Sequence, residues 1–131
     1  MIGFAKFEVT GVKMSDSVLR TKSKKFAKDI VFLCRALKQN GVESALINQL
    51  LRCGTSVGAN IHEAQYAQGT KDFISKFEIS LKECNESEYW LELLYETNSI
   101  SKKEFDTLQK ECVELRRMLV STVTTLKKKQ I

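Results

Sequence analysis

The side chains in this sequence that could do chemistry are one histidine, four cysteines, a crowd of glutamates and an uneven spread of lysines and arginines. His62 precedes Glu63, but no second histidine completes the helical His-Glu-x-x-His pattern of a zinc peptidase. A bundle-type di-iron centre needs two Glu-x-x-His motifs, so a single histidine rules it out as well. His62 therefore reads as an exposed spectator. Cys34, Cys53, Cys84 and Cys112 fall one to each helix expected below. A zinc layer would need all four thiolates at one level, yet Cys34 falls nearer a helix end, and the paired short spacings of structural zinc sites are missing. Buried free thiols in a reducing cytosol are the reading. Glu83, Glu86, Glu88, Glu92 and Glu96 crowd one segment, with Glu63 upstream. Carboxylate pairs do acid–base work only where their surroundings push their pKa values apart. There is no nucleophile set, and Gly54 and Gly58 do not form a phosphate-binding Gly-x-x-x-x-Gly-Lys loop. These glutamates read as surface acidity and structural ion pairs. No catalytic residue, metal or cofactor is expected, and the chain is not expected to be an enzyme.

The cations are more suggestive. Net charge is +5 over the whole chain, but residues 1–40 hold +6, residues 41–97 hold −5 and residues 98–131 hold +4. Such asymmetry suits a basic face that meets phosphates and an acidic face elsewhere. A merely solvated surface would also be charged. The candidate phosphate contacts are Lys22, Lys24, Lys25, Lys28 and Arg35 in the first basic segment. Lys102, Lys103, Arg116, Arg117, Lys127, Lys128 and Lys129 are those in the last. No aromatic residues interleave with this set, which argues against sequence-specific single-strand readout.

The elements that position these residues follow from composition and spacing. The chain has 131 residues with no proline and six glycines; 43% are hydrophobic and 28% charged. Chains of that length form one domain, and the shortage of helix breakers predicts long helices joined by short turns. No apolar run approaches the roughly 20 residues of a membrane span. The first residues lack the pattern of a secretory signal, so a cytoplasmic protein is expected.

Residues 1–16 read as a lead segment, with Phe4, Phe7, Val9 and Val12 packing locally, and residues 17–131 as the helical domain. Ser15-Asp16-Ser17 offers a cap for a helix over about 18–38, whose stripe is Leu19, Phe26, Ile30, Leu33 and Leu37. Asn40-Gly41 ends it. A second helix over about 42–68 carries Leu46, Leu50, Cys53, Val57, Asn60 and Ala64, and its Gly54 and Gly58 suggest a close backbone approach. Thr70-Lys71-Asp72 can cap a third helix bearing Phe73, Phe77, Leu81, Cys84, Glu88, Leu91 and Tyr95, with Ile74, Ser80, Ser87 and Leu94 beside them. After Asn98-Ser99-Ile100, the pair Ser101-x-x-Glu104 reads as a capping box for a fourth helix lined by Phe105, Leu108, Cys112, Leu115, Leu119, Thr122 and Leu126. Four such helices describe an all-α, antiparallel up-down-up-down four-helix bundle. In that order basic helices one and four are neighbours. Asn60, on an apolar stripe, must find a partner; Glu63, Glu83 or Glu88 are within reach, and fixing packing register is its expected role.

Two stretches resemble a known family. One is Ser56-Val57-Gly58-Ala59-Asn60-Ile61-His62-Glu63. The other combines Asp72-Phe73-Ile74, Leu81-Lys82-Glu83 and Tyr89-Trp90-Leu91. Together they are similar to the four-helix bundle proteins associated with intervening sequences in bacterial 23S ribosomal RNA genes, over about residues 24–128. Cys53 and His62 depart from the family pattern. The resemblance implies a bundle that assembles as a ring-like homopentamer. It also implies kinship with the accessory variability protein of diversity-generating retroelements, which binds nucleic acid and a reverse transcriptase. It brings no catalytic residue. Gly58, Asn60, Glu63, Glu83, Glu86 and Trp90 match signature positions and are expected to be structural or interfacial. Two functions follow as expectations. The first is an oligomer that binds RNA or DNA phosphates through helices one and four. The second is a scaffold that docks a protein partner such as a reverse transcriptase through helices two and three, without touching nucleic acid.

Overall fold

In the computed structural model, residues 13–129 are described, with side chains from Val18 onward. Four helices account for nearly all of them: α1 (Lys13–Gln39), α2 (Ser44–Ala64), α3 (Thr70–Glu96) and α4 (Lys102–Lys129). α1 begins at Lys13, so the expected cap at Ser15-Asp16-Ser17 lies inside the helix and α1 takes in the end of the lead segment. The packing expected of Phe4, Phe7, Val9 and Val12 falls outside the described residues. α2 is shorter than expected, stopping at Ala64, and residues 65–69 form the turn into α3. Gly69 rather than Thr70 is the N-cap of α3. The Asp72 carboxylate reaches back to accept from the Gln68 backbone N–H at 3.1 Å.

Chain ends of the helices are satisfied locally, as a bundle with short connections requires. Gly41 turns left-handed at φ 75°, while Val42 N–H donates to Leu37 O at 3.1 Å and Gly41 N–H to Lys38 O at 3.2 Å. Asn98 repeats the device at φ 59°, with Ser99 N–H donating to Leu94 O at 2.8 Å. At the start of α4 both halves of the capping box form: Glu104 N–H donates to Ser101 Oγ at 3.1 Å and Ser101 N–H to Glu104 Oε1 at 2.8 Å. A Cβ at Gly41 would meet nothing within 4 Å. Gly41→Ala therefore isolates the cost of the left-handed backbone, and urea unfolding should show a loss of about 1 kcal/mol.

Each helix packs on the next, and α1 also meets α4 along the thinnest of the four seams. The core is built from Leu19, Phe26, Ile30, Leu50, Val57, Ile61, Phe77, Leu91, Leu115 and Leu119, among others. The stripes of α1 and α4 run as expected, apart from Phe105, which is only half-buried and stacks on Tyr95 at 4.8 Å. Those of α2 and α3 are rotated. Ile61, not Asn60, completes the buried face of α2, and Ile47 replaces Leu46. On α3 the buried face passes through Ser80 and Ser87, leaving Leu81, Glu88 and Tyr95 half-buried. The serines fit because their hydroxyls are satisfied: Ser80 Oγ donates to Val57 O at 2.7 Å and Ser87 Oγ to Glu83 O at 2.8 Å.

The glycine pair of α2 does what its spacing suggested. A Cβ at Gly54 would fall 2.9 Å from both Cγ atoms of Ile30, and one at Gly58 would lie 3.3 Å from the Ser23 carbonyl oxygen. α1 and α2 thus meet backbone to backbone at Ser23–Gly58, and by a β-branched side chain on bare backbone at Ile30–Gly54.

Candidate nucleic-acid interface

The twelve cations singled out from the sequence all lie on α1 and α4, which are in contact. The fold sorts them into two groups. Lys22 pairs with Glu114 at 2.6 Å, Lys25 with Asp29 at 2.7 Å and with Glu111 at 3.4 Å, Lys102 with Asp106 at 2.8 Å and Lys127 with Glu78 at 2.7 Å. Arg116 pairs with Glu88 of α3. These five are neutralised within the chain, so the basic face is smaller than a count of charges implies. For Lys24, Lys28, Arg35, Lys103, Arg117, Lys128 and Lys129, no carboxylate lies within ion-pair distance among the described residues, and all are exposed. Arg35 instead sits over the Phe32 ring, 5.8 Å from its centroid.

The α1–α4 seam holds the most perturbed acid of the described surface. Glu111 is half-buried beside Asp29 and Lys25, and its Oε1 is buried without a hydrogen-bond partner among the described residues. Burial, and then the neighbouring Asp29 carboxyl, push Glu111 up to about 7. Burial acts on Asp29 in the same direction, but hydrogen bonds from Lys25 and Glu111 outweigh it and hold Asp29 below its ordinary range. Such a pair behaves as one carboxylate and one carboxylic acid.

The signature residues form a different group. Arg52 bridges Glu83, at 3.1 Å, and Glu86, while Trp90 Nε1–H donates to Glu86 Oε2 at 3.0 Å. The Trp90 hydrogen bond, followed by that of Arg52, holds Glu86 below its usual range. This network staples α2 to α3 on the outer face. Asn60 and Glu63 lie apart from it: Asn60 is half-buried, its Nδ2 donating to Ser56 O at 2.8 Å rather than to a glutamate, and Glu63 is exposed. Gly58 belongs to the α1–α2 contact. All four cysteines are buried free thiols; Cys84 Sγ–H donates to Cys112 O at 3.3 Å, and burial raises Cys34 to about 11.

Sequence reasoning missed one depression of the surface. It is a groove of about 920 Å³ between α1 and α2, floored by Ser23, Gly58 and Ala59 and walled by Arg20, Lys24, Lys28 and His62. Its signal was present in the four-residue spacing of Arg20, Lys24 and Lys28 opposite the small residues of α2. Summing charge by segment hid it, because α2 itself is nearly neutral.

Known proteins place this geometry in context. The chain is similar to a protein with unknown function from the S23 ribosomal protein family of Bacteroides thetaiotaomicron VPI-5482, whose crystal structure was solved at 1.70 Å resolution. The two share 43% identity at a TM-score of 0.82, over 84% of this chain and 98% of that one. No curated protein matches the sequence. Among the described residues no helix is long and apolar enough to cross a membrane. The family model described as 23S rRNA-intervening sequence protein matches residues 15–121. That span takes in α2 and α3 entire and most of α1 and α4, so the chain belongs to the 23S rRNA-intervening sequence protein family.

Proposed function

We propose that this protein is a non-enzymatic, antiparallel up-down-up-down bundle of the cytoplasm that assembles as a homo-oligomer, a pentamer by family resemblance, and binds RNA or DNA phosphates through α1 and α4. The carrying observation is the second group of cations: seven of the twelve stand exposed with no carboxylate at ion-pair distance among the described residues. Surface cations held by no internal partner are those that displace counterions from a nucleic-acid backbone. The topology is supported by the order of contacts. Ser23 meets Gly58 and Ile30 meets Gly54; Val57 meets Ser80 and Cys53 meets Ser87. Tyr95 meets Phe105, Cys84 meets Cys112 and Glu78 meets Lys127, so position along one helix rises as it falls along the next.

One observation favours the scaffold reading, in which a partner such as a reverse transcriptase docks on α2 and α3. Tyr89 is 59% exposed and lies edge-on to Trp90, whose Nε1–H donates to Glu86 of the Arg52 network, and tyrosine, tryptophan and arginine are the residues enriched in protein-interface hot spots.

Titration of labelled hairpins, duplexes and single strands at about 50 and 200 mM salt separates the two. Phosphate contact predicts measurable affinity at the lower salt and at least a tenfold loss at the higher one. Absence of binding at the lower salt overturns the nucleic-acid reading and leaves the scaffold.

A further inference from the structure

The groove between α1 and α2 brings cations, a low floor and an aromatic side chain together. Arg20, Lys24 and Lys28 recur every four residues along its α1 wall. At 1.5 Å rise per residue they step along the groove by about 6 Å, close to the phosphate repeat of a stretched single strand. The floor is low because Gly58 lets α1 approach until a Cβ there would touch the Ser23 backbone at 3.3 Å. Arg20 is oriented from beneath by the buried amide of Gln65, whose oxygen, turned toward the guanidinium, accepts from Nε at 3.0 Å. On the α2 wall stands His62, and the ring of Tyr66 meets it edge-on at 5.7 Å. Tyr66 is 44% exposed. Cations along one wall and an aromatic ring on the other, here His62 with Tyr66 behind it outside the lining, are the two components of single-strand binding sites. Glu63 is the one carboxylate among the described lining residues, and it offsets part of the positive charge from the α2 side.

We infer that this groove is a binding site for single-stranded nucleic acid, with successive phosphates on Lys28, Lys24 and Arg20 and a base stacked on the His62–Tyr66 pair. The inference rests on the nucleic-acid reading above, keeps Lys24 and Lys28 from its exposed cations, moves the contact from the α1–α4 side to the α1–α2 side, and names one ligand class. A volume of about 920 Å³ is at the upper end of small-ligand sites. It accepts a short stretch of one strand, whereas a duplex would meet only the rim. Sequence preference is expected to be weak, because every base presents a stacking face.

The test compares a labelled single-stranded oligouridylate with an RNA duplex of equal length, on the full chain at low salt. The single strand should bind at least tenfold more tightly. Lys24→Glu/Lys28→Glu should weaken it at least tenfold and Tyr66→Ala at least threefold, whereas Lys103→Glu/Arg117→Glu on α4, outside the groove, should cost at most a third of the factor lost with the α1 pair. Ala59→Phe, at an exposed position, fills the groove without altering charge and should also weaken binding at least tenfold, with the thermal midpoint reporting that the fold is kept. If the wild-type protein binds no nucleic acid at all, the parent reading fails. If it binds the duplex as tightly as the single strand, or if the α4 pair matters as much as the α1 pair, the groove inference is overturned while phosphate binding stands.

Discussion

Replacing Gly54 by valine is expected to lower the unfolding free energy by about 3 kcal/mol, the upper end of the usual cost of overpacking. The contact leaves no cheap escape. Ile30 is fully buried, and its Cγ1, Cγ2 and Cβ would lie 2.9, 2.9 and 3.3 Å from the first added carbon. A β-branched side chain is stiff at χ1, so α1 must move away from α2 and loosen Phe26 and Leu33 with it. The better intrinsic helix propensity of valine over glycine returns only a few tenths of a kcal/mol. For a domain of this size the thermal midpoint should fall by roughly 10–15 °C. The double variant Gly54→Val/Ile30→Ala supplies the control. Ile30→Ala alone opens a cavity, and the valine methyls fill part of it, so the two losses should sum to more than the double variant shows by at least 1 kcal/mol. Strict additivity, or a Gly54→Val midpoint within 2 °C of wild type, would mean that the two helices do not meet in this way.

Stability should also fall as pH rises from about 4.5 to above 7, by about 2 kcal/mol. Glu111 titrates near its ordinary 4.5 when unfolded and at about 7 when folded, so the folded state holds a proton that the unfolded state has released. Its contribution is full below pH 4.5 and is lost as pH climbs through 7. The figure is below the full shift because the site is only partly shielded from water. Asp29, Glu86 and Glu114 are all held low, so their contributions are gained at more acidic pH and stay flat across this window. Glu111→Gln keeps the shape and removes the titration. Denaturant midpoints at pH 5 and 7.5 should differ clearly for the wild-type protein and hardly at all for the variant. Equal slopes in both proteins would defeat the assignment.

Much of the fold was legible because it is written in local or strictly periodic signals. The turn at Gly41, the Ser101–Glu104 box and the stripe from Leu19 to Leu37 each depend on residues within one or two turns of one another. The close approach at Gly54 and Gly58 was legible because glycine in a helix has few other uses. Where reading failed, the deciding partner was on another helix. Asn60 and Ile61 are one residue apart, so both patterns fit the spacing, and only the neighbouring helices choose Ile61. Ser80 and Ser87, which the spacing set only beside the α3 stripe, join its buried face, where Ser80 Oγ donates to Val57 O of α2 and Ser87 Oγ to Glu83 O of its own helix. The basic face was read from charge totals, and the pairing of Lys22, Lys25, Lys102, Arg116 and Lys127 with carboxylates is a three-dimensional outcome. The α1–α2 groove escaped for the same reason: its cations come from one helix and its floor from another.

The unequal seams have a kinetic meaning. Every dense seam joins helices that are consecutive in the chain, and only the thin α1–α4 seam closes over the full length. Most native contacts therefore form across short loops, whose closure costs little entropy. Low contact order of this kind places folding in the microsecond-to-millisecond range. Because the long closure is rewarded by the sparsest packing, the α1–α4 seam is expected to close after the three seams between consecutive helices.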